Sequence, residues 1–246
     1  MLGSLHAIEL FAGVGGFRIG LEESGWKVVW SNQYEPSSKT RQHASEIYRY
    51  RFKDNEDTHI NRDIDEILEE MADDPTSLPP EHDLLVGGFP CQDYSVARTL
   101  NQAAGLIGQK GVLWWSIFRL LKLLKSQDKQ PRFLLLENVD RLIKSPANQR
   151  GRDFAVMLAS LYVLGYRVEW RVVNAADYGF PQRRRRVFIV GQLSEGTSDR
   201  HTANCTVKET IFTEGILAQA LPVNELMGTS PFDLVSGFSL SDRPLD

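Results

Sequence analysis

The chain has 246 residues, 42% hydrophobic and 24% charged, with a formal net charge of −4. That length suits one α/β domain or at most two small ones, and the composition excludes disordered, collagen-like and coiled-coil classes. Cys91 and Cys205 lie far apart without CxxC spacing, and there is no signal-like N-terminus or apolar run of roughly 18 residues, so a reduced, cytoplasmic protein with no membrane span, disulfide framework or metal site is expected.

Residues 5–10 (LHAIEL) read as a strand, followed by a glycine turn and a helix over 16–24. Residues 27–31 form a second strand, and Pro36 suits the first turn of a helix over 36–50. A short piece near 59–64 leads into an acidic helix ending around Ala72. Residues 83–87 are a buried strand, 93–111 a glycine-punctuated loop, and 112–124 a strongly apolar helix. A strand over 132–137, a helix over 152–164 and strands over 166–173 and 187–191 complete the series. Strands alternating with helices predict a mostly parallel sheet covered on both faces, with ligands outside the carboxyl ends of its strands. After Gly191 the regularity weakens. Residues 1–192 are therefore read as the working domain and 193–246 as a tail or linker with one helix near 208–220.

Charge is segregated along the chain. Residues 54–83 carry 12 acids and one base, whereas 84–192 carry 17 bases and 7 acids. The acidic block reads as a solvated face. The basic middle leaves a polyanionic partner open, because such partners bind by exchanging condensed counterions for Lys and Arg.

The motifs sit at strand ends. In Phe11-Ala12-Gly13-Val14-Gly15-Gly16-Phe17 the spacing of the dinucleotide fingerprint fails at Arg18. A plain tight turn and a nucleoside site without pyrophosphate both stay open, with Phe11 placed to stack on a base. Ser31-Asn32-Gln33-Tyr34-Glu35 ends the second strand, where a polar group can hold ribose hydroxyls, and Asp63 follows the third, placed to accept from an adenine amino group. Cys91 stands in Gly87-Gly88-Phe89-Pro90-Cys91-Gln92, on a turn rather than on a packed helix face. Packing and nucleophilic catalysis are both open readings of that loop alone. Glu137 follows four apolar strand residues, so partial burial makes it a candidate proton donor, the alternative being a cap or surface acid. Ahead of the strand at 187, alternation puts Arg184 and Arg186 on one side and Arg183 and Arg185 on the other.

In this order, FAGVGGF, GFPCQ, ENV and NAADYGFPQRRRR resemble the cytosine-5 DNA methyltransferases, over about Ile8 to Gly191. The resemblance implies a Rossmann-like, S-adenosylmethionine-dependent methyltransferase fold with a mostly parallel seven-stranded sheet. It implies Cys91 as the nucleophile on a flipped cytosine, Glu137 at ring nitrogen 3, and Arg186 with Arg184 orienting the base. Gln92 and Ser95 would meet DNA. Phe11, Gly13, Val14, Gly16, Tyr34, Asp63, Ile64, Gly88, Pro90 and Leu113 would hold S-adenosylmethionine. Gln33 stands where the family usually has Glu, its amide oxygen accepting from the ribose. The family's target-recognition domain and closing segment have no counterpart in 193–246, so a companion subunit is expected. The resulting reading is the catalytic subunit of a DNA (cytosine-5-)-methyltransferase in restriction–modification. A transfer-RNA cytosine-5 methyltransferase and a non-catalytic DNA- or cofactor-binding remnant are the alternatives.

Overall fold

The computed structural model describes residues 5–38, 40–89, 113–144, 150–194 and 210–222. Strands β1 (His6–Leu10), β2 (Lys27–Asn32), β3 (His59–Ile60), β4 (Leu84–Gly88), β5 (Phe133–Val139), β6 (Tyr166–Asn174) and β7 (Arg185–Leu193) form one sheet in the order β3-β2-β1-β4-β5-β7-β6. Pairings from β3 to β5 are parallel, and β7 runs antiparallel to both β5 and β6. The expected mostly parallel seven-stranded sheet is therefore the sheet that forms. Helices α1 (Gly16–Glu23), α2 (His43–Phe52), α3 (Ile64–Asp73), α4 (Leu113–Ser126), α5 (Arg152–Val163) and α6 (Ile216–Ala220) connect and cover it.

Strand alternation sorts the core onto two faces. Ile8, Leu10, Leu85, Leu134 and Leu136 pack with Leu68 of α3, Leu121 of α4 and Met157 of α5. Ala7, Val28, Leu84 and Val86 meet Leu21 and Phe17 of α1. In α4, buried Trp114, Ile117, Leu121 and Leu124 recur at helical spacing. Each such side chain contributes about 1.5–3 kcal/mol relative to exposure, which anchors α4 beside β4 and β5.

Helix α2 begins at His43 rather than near Pro36. The intervening residues form a turn stitched by side chains. Gln42 Oε1 accepts from Glu35 N (2.7 Å), Gln42 Nε2 donates to Ser38 O (2.8 Å), and Glu35 Oε2 accepts from Ala44 N (3.1 Å). The last bond satisfies an amide in the first turn, which has no intrahelical partner.

The expected helix near 208–220 forms one wide turn over Thr210–Glu214 and then α6. A five-residue helix is too short to persist unaided, and β6 braces it at both ends. Glu169 Oε2 accepts from Leu217 N (3.2 Å), while Arg171 Nη1 donates to Leu217 O (3.0 Å) and Leu221 O (2.6 Å).

The start of α1 depends on Gly15. Its φ is +88°, and a Cβ there would lie 2.2 Å from Cε2 of Phe52 at the end of α2. Gly15→Ala is expected to cost about 2 kcal/mol or more, from backbone strain and overpacking together. Denaturant unfolding reads this directly, and an unchanged midpoint contradicts it.

Candidate active site

Glu137 lies at the carboxyl end of β5, opposite Gly88 of β4 on one side and Phe188 of β7 on the other. Arg186 is paired with Val139, so Arg186 and Glu137 are diagonal neighbours across the antiparallel ladder. Arg186 Nε lies 2.7 Å from Glu137 Oε1, and Arg184 Nη2 lies 3.9 Å from the same oxygen. Arg185 turns away to Asp140, at 3.3 Å. The alternation expected for the four arginines thus places Arg184 and Arg186 on the Glu137 side. The Glu137 and Arg186 side chains are only 20% and 23% exposed, so their attraction is screened less than that of a surface pair. Gly88 leaves the carboxylate its space, because a Cβ there would lie 3.1 Å from Glu137 Oε2.

Sequence reasoning missed the part played by Asn138. It is buried, and its Nδ2 donates to Phe89 O at 2.9 Å, tying the end of β5 to the backbone two residues before Cys91. Its place in ENV, beside an acid at a strand end, was the available signal. Pro90, Cys91, Gln92 and Ser95 lie outside the described residues.

A cleft of about 590 Å³ opens beyond the ends of β1, β2 and β4. Of the residues expected to hold a ligand, Phe11, Gln33, Tyr34, Asp63, Ile64, Gly88 and Leu113 line it. Asn32 and Glu35, from the polar run read at the end of the second strand, line it too, and the structure adds Pro36, Ser37, Asp65 and Glu66. Gly13 and Val14 in the adjoining turn, and Gly16 at the start of α1, are not among the lining residues. Gly88 borders both the cleft and Glu137, so the two share a wall.

Hydrogen bonds to the end of β2 fix the turn. Ala12 N donates to Asn32 O (3.0 Å), and Gly13 N donates to Gln33 Oε1 (2.8 Å). Phe11 has φ +53° and Gly13 φ +56°. A left-handed phenylalanine costs roughly 1–2 kcal/mol, and the surrounding bonds hold it against the cleft. The Gln33 oxygen, expected to accept from a ribose, thus already accepts from the turn. Asp63 combines two placements: it lines the cleft, and its Oδ1 accepts from Asp65 N as the N-cap of α3 (2.9 Å). The Asn32 amide is spent on Ile60 O and Arg62 O, at 3.1 and 2.9 Å.

Behind the turn lies a buried polar network. Glu9, 1% exposed, accepts from the Tyr48 hydroxyl (2.8 Å) through Oε2, while its Oε1 has no hydrogen-bond partner among the described residues. Burial pushes the Glu9 carboxyl up to about 7, against the opposing pull of Tyr48 and Arg18. Arg18 bonds Glu22 at 2.6 Å and also pairs with Asp54. His59 bridges the hydroxyls of Ser31 and Ser45, each at 2.8 Å, and burial holds its imidazole down to about 4.

Comparison with known proteins identifies the family. A family model described as C-5 cytosine-specific DNA methylase matches residues 5–234. The chain is 50% identical over 228 residues to the type II methyltransferase M.Sau3AI of Staphylococcus aureus, covering 91% of this chain and 52% of that protein. It is 36% identical over 184 residues to M.NgoBI of Neisseria gonorrhoeae, covering 75% and 49%. The chain thus spans about half the length of the curated relatives it matches. Among solved structures, a protein described as a DNA modification methyltransferase encoded within an E. coli prophage superposes with a TM-score of 0.56 at 22% identity, covering 85% of this chain and 50% of that one. The S. pombe Dnmt2 methyltransferase superposes with a TM-score of 0.52 at 19% identity, covering 77% and 50%. At these identities the structural likeness shows the fold alone.

The Glu9 site has a pH signature. An unfolded chain ionises this carboxyl near 4.5, whereas the folded chain keeps its proton up to about 7. Across that window the folded state binds more protons, so this group's contribution to stability falls as pH rises. The His59 contribution runs the other way, rising between about 4 and 6.5. Glu9→Gln removes only the first. The stability of that variant relative to the native chain should grow by on the order of 3 kcal/mol from pH 4.5 to 7 and then level off. Denaturant titrations across this range measure the difference, and a constant difference contradicts the assignment.

Proposed function

Because the chain belongs to the C-5 cytosine-specific DNA methylase family, we propose that it carries the methyl-transfer machinery of a type II DNA (cytosine-5-)-methyltransferase. The observation that carries this reading is the Glu137–Arg186 pair, set at 2.7 Å against the Gly88 wall of an acid-lined cleft. Members of this family use S-adenosylmethionine, and the lining suits that molecule chemically. Glu35, Asp63, Asp65 and Glu66 favour a cation, and Phe11, Tyr34, Ile64 and Leu113 offer apolar walls to a purine. When bound, it supplies an electrophilic methyl group on a positively charged sulfur.

The chain's own residues do the rest. A cytosine swung out of the duplex meets the Glu137 end of the sheet. Arg186, with Arg184 beside it, donates to the base and fixes its orientation. The Cys91 thiolate forms a bond to carbon 6 while the Glu137 carboxylate contacts ring nitrogen 3 and stabilises its protonated form, the proton coming from water, so the electron pair of the carbon 5–carbon 6 double bond moves onto carbon 5. Carbon 5 would then take the methyl group of S-adenosylmethionine held by the cleft lining, the sulfonium sulfur departing as a neutral thioether. The carbon 5 proton then leaves to water, the bond between the Cys91 sulfur and carbon 6 breaks, nitrogen 3 releases its proton, and the thiolate is restored. Asn138 positions the backbone that leads to Cys91.

The DNA face follows from charge. Arg183, Arg141 and Lys144 are exposed around the carboxyl end of β5 and the start of β7, where a phosphate backbone can meet them without disturbing Glu137. The cell compartment fitting this reading is the cytoplasm, on nucleoid DNA. The expected companion subunit belongs to the proposal as the source of base recognition.

Two measurements test the reading. DNA bearing 5-fluorocytosine should trap a covalent adduct at Cys91, assayed alone and with a polypeptide supplying the remaining length of an M.Sau3AI-like relative. Cys91→Ala should abolish the adduct, and Glu137→Gln should lower methyl transfer by about a hundredfold or more. Absence of an adduct in both assays overturns the mechanism, and full activity of the chain alone removes the companion. Replacing Arg141 and Arg183 together by alanine should flatten the slope of log affinity against log salt by about 2, near 0.9 per lost phosphate contact. An unchanged slope places the DNA elsewhere.

A further inference from the structure

The orientation of Gln33 is set by chemistry. Gly13 N–H can only donate, so the Gln33 atom 2.8 Å from it must be the amide oxygen. The amide Nε2 then remains, with no partner among the described residues. Gln33 lines the cleft between Phe11 and Tyr34. The other cleft amide, Asn32, has spent its N–H groups on Ile60 O and Arg62 O. The acids around it, Glu35, Asp63, Asp65 and Glu66, are acceptors when ionised.

Resting on the cofactor reading above, we propose that Gln33 is a specificity-determining residue that meets the ribose of S-adenosylmethionine as a hydrogen-bond donor. The methyl-bearing end of that molecule must face the Gly88 and Glu137 wall, and its purine suits the apolar surfaces of Tyr34 and Ile64. The sugar joining them then passes Gln33. There the amide offers N–H groups, and a ribose oxygen supplies the lone pair. A glutamate at this position would invert the polarity. One carboxylate oxygen would keep the Gly13 bond, and the other would demand a hydroxyl proton from the sugar.

Ethers separate the two polarities, since a methylated ribose oxygen still accepts but no longer donates. Binding of S-adenosylhomocysteine and of its 2′-O-methyl and 3′-O-methyl forms can be compared by calorimetry in the native chain and in Gln33→Glu. At one of the two ribose positions, methylation should weaken binding to Gln33→Glu at least about tenfold more than binding to the native chain. Comparing the variants cancels the bulk of the methyl group. Equal losses at both positions overturn the proposal. Failure of the native chain to bind S-adenosylhomocysteine at all overturns the cofactor reading itself. Amide exchange gives an independent check: Gly13 should stay protected in Gln33→Glu and lose protection in Gln33→Met. Equal protection in Gln33→Met overturns the amide orientation on which the proposal stands.

Discussion

The antiparallel seam between β5 and β7 is the constraint on which the site rests. Every other sheet neighbour from β3 to β5 runs parallel, and a purely parallel continuation would carry the start of β7 to the opposite end of the sheet. Reversal brings the arginine-rich start of β7 to the carboxyl end of β5, where Glu137 stands. Register completes the arrangement. A slip of one residue would exchange the faces of the four arginines and set Arg185 where Arg186 now meets Glu137. The apolar pairs Leu136–Ile189 and Leu134–Gly191 deeper in the seam resist such a slip, because Leu134, Leu136 and Ile189 are fully buried.

Glycine complements that seam from the β4 side. A side chain at position 88 would crowd Glu137, and one at Gly87 would lie 3.1 Å from Leu10 O. The same strand therefore yields space to the acid on one side and to the glycine turn on the other. Asn138 adds a third restraint by holding Phe89. Three neighbouring strands thus contribute backbone, space or charge to one small volume, which explains why the pieces lie far apart in sequence.

Much of the fold was legible because its signals are local. Strand alternation and the apolar stripe of α4 depend only on residues a few positions apart, and so does the sidedness of Arg184 and Arg186. What was not legible depends on distant partners. The start of α2 follows from Glu35 reaching Ala44 and Gln42 reaching back to Glu35, a closure no capping pattern announces. Nothing local in the strand LHAIEL marks Glu9 as enclosed, because its partner Tyr48 comes from α2. Gln33 was legible as a cleft residue but not as the acceptor for Gly13, 20 positions away. Asp63 was read as a ligand contact, and its geometry as a helix cap appears only with α3 in place.

The separation of charge along the chain becomes a separation in space. The acidic block enters the sheet at β3 and α3, on the cleft side, whereas exposed Arg141, Arg183, Arg184 and Arg185 stand at the carboxyl end of β5 and the start of β7. A body built this way is a macroscopic electric dipole carrying a small net negative charge. Far from a polyanion it is weakly repelled, and as it nears, the field exerts a torque that turns the cationic edge inward. Encounters with the wrong orientation are rejected before contact, so the distribution of charge filters collisions by angle while leaving the cleft entrance facing solvent.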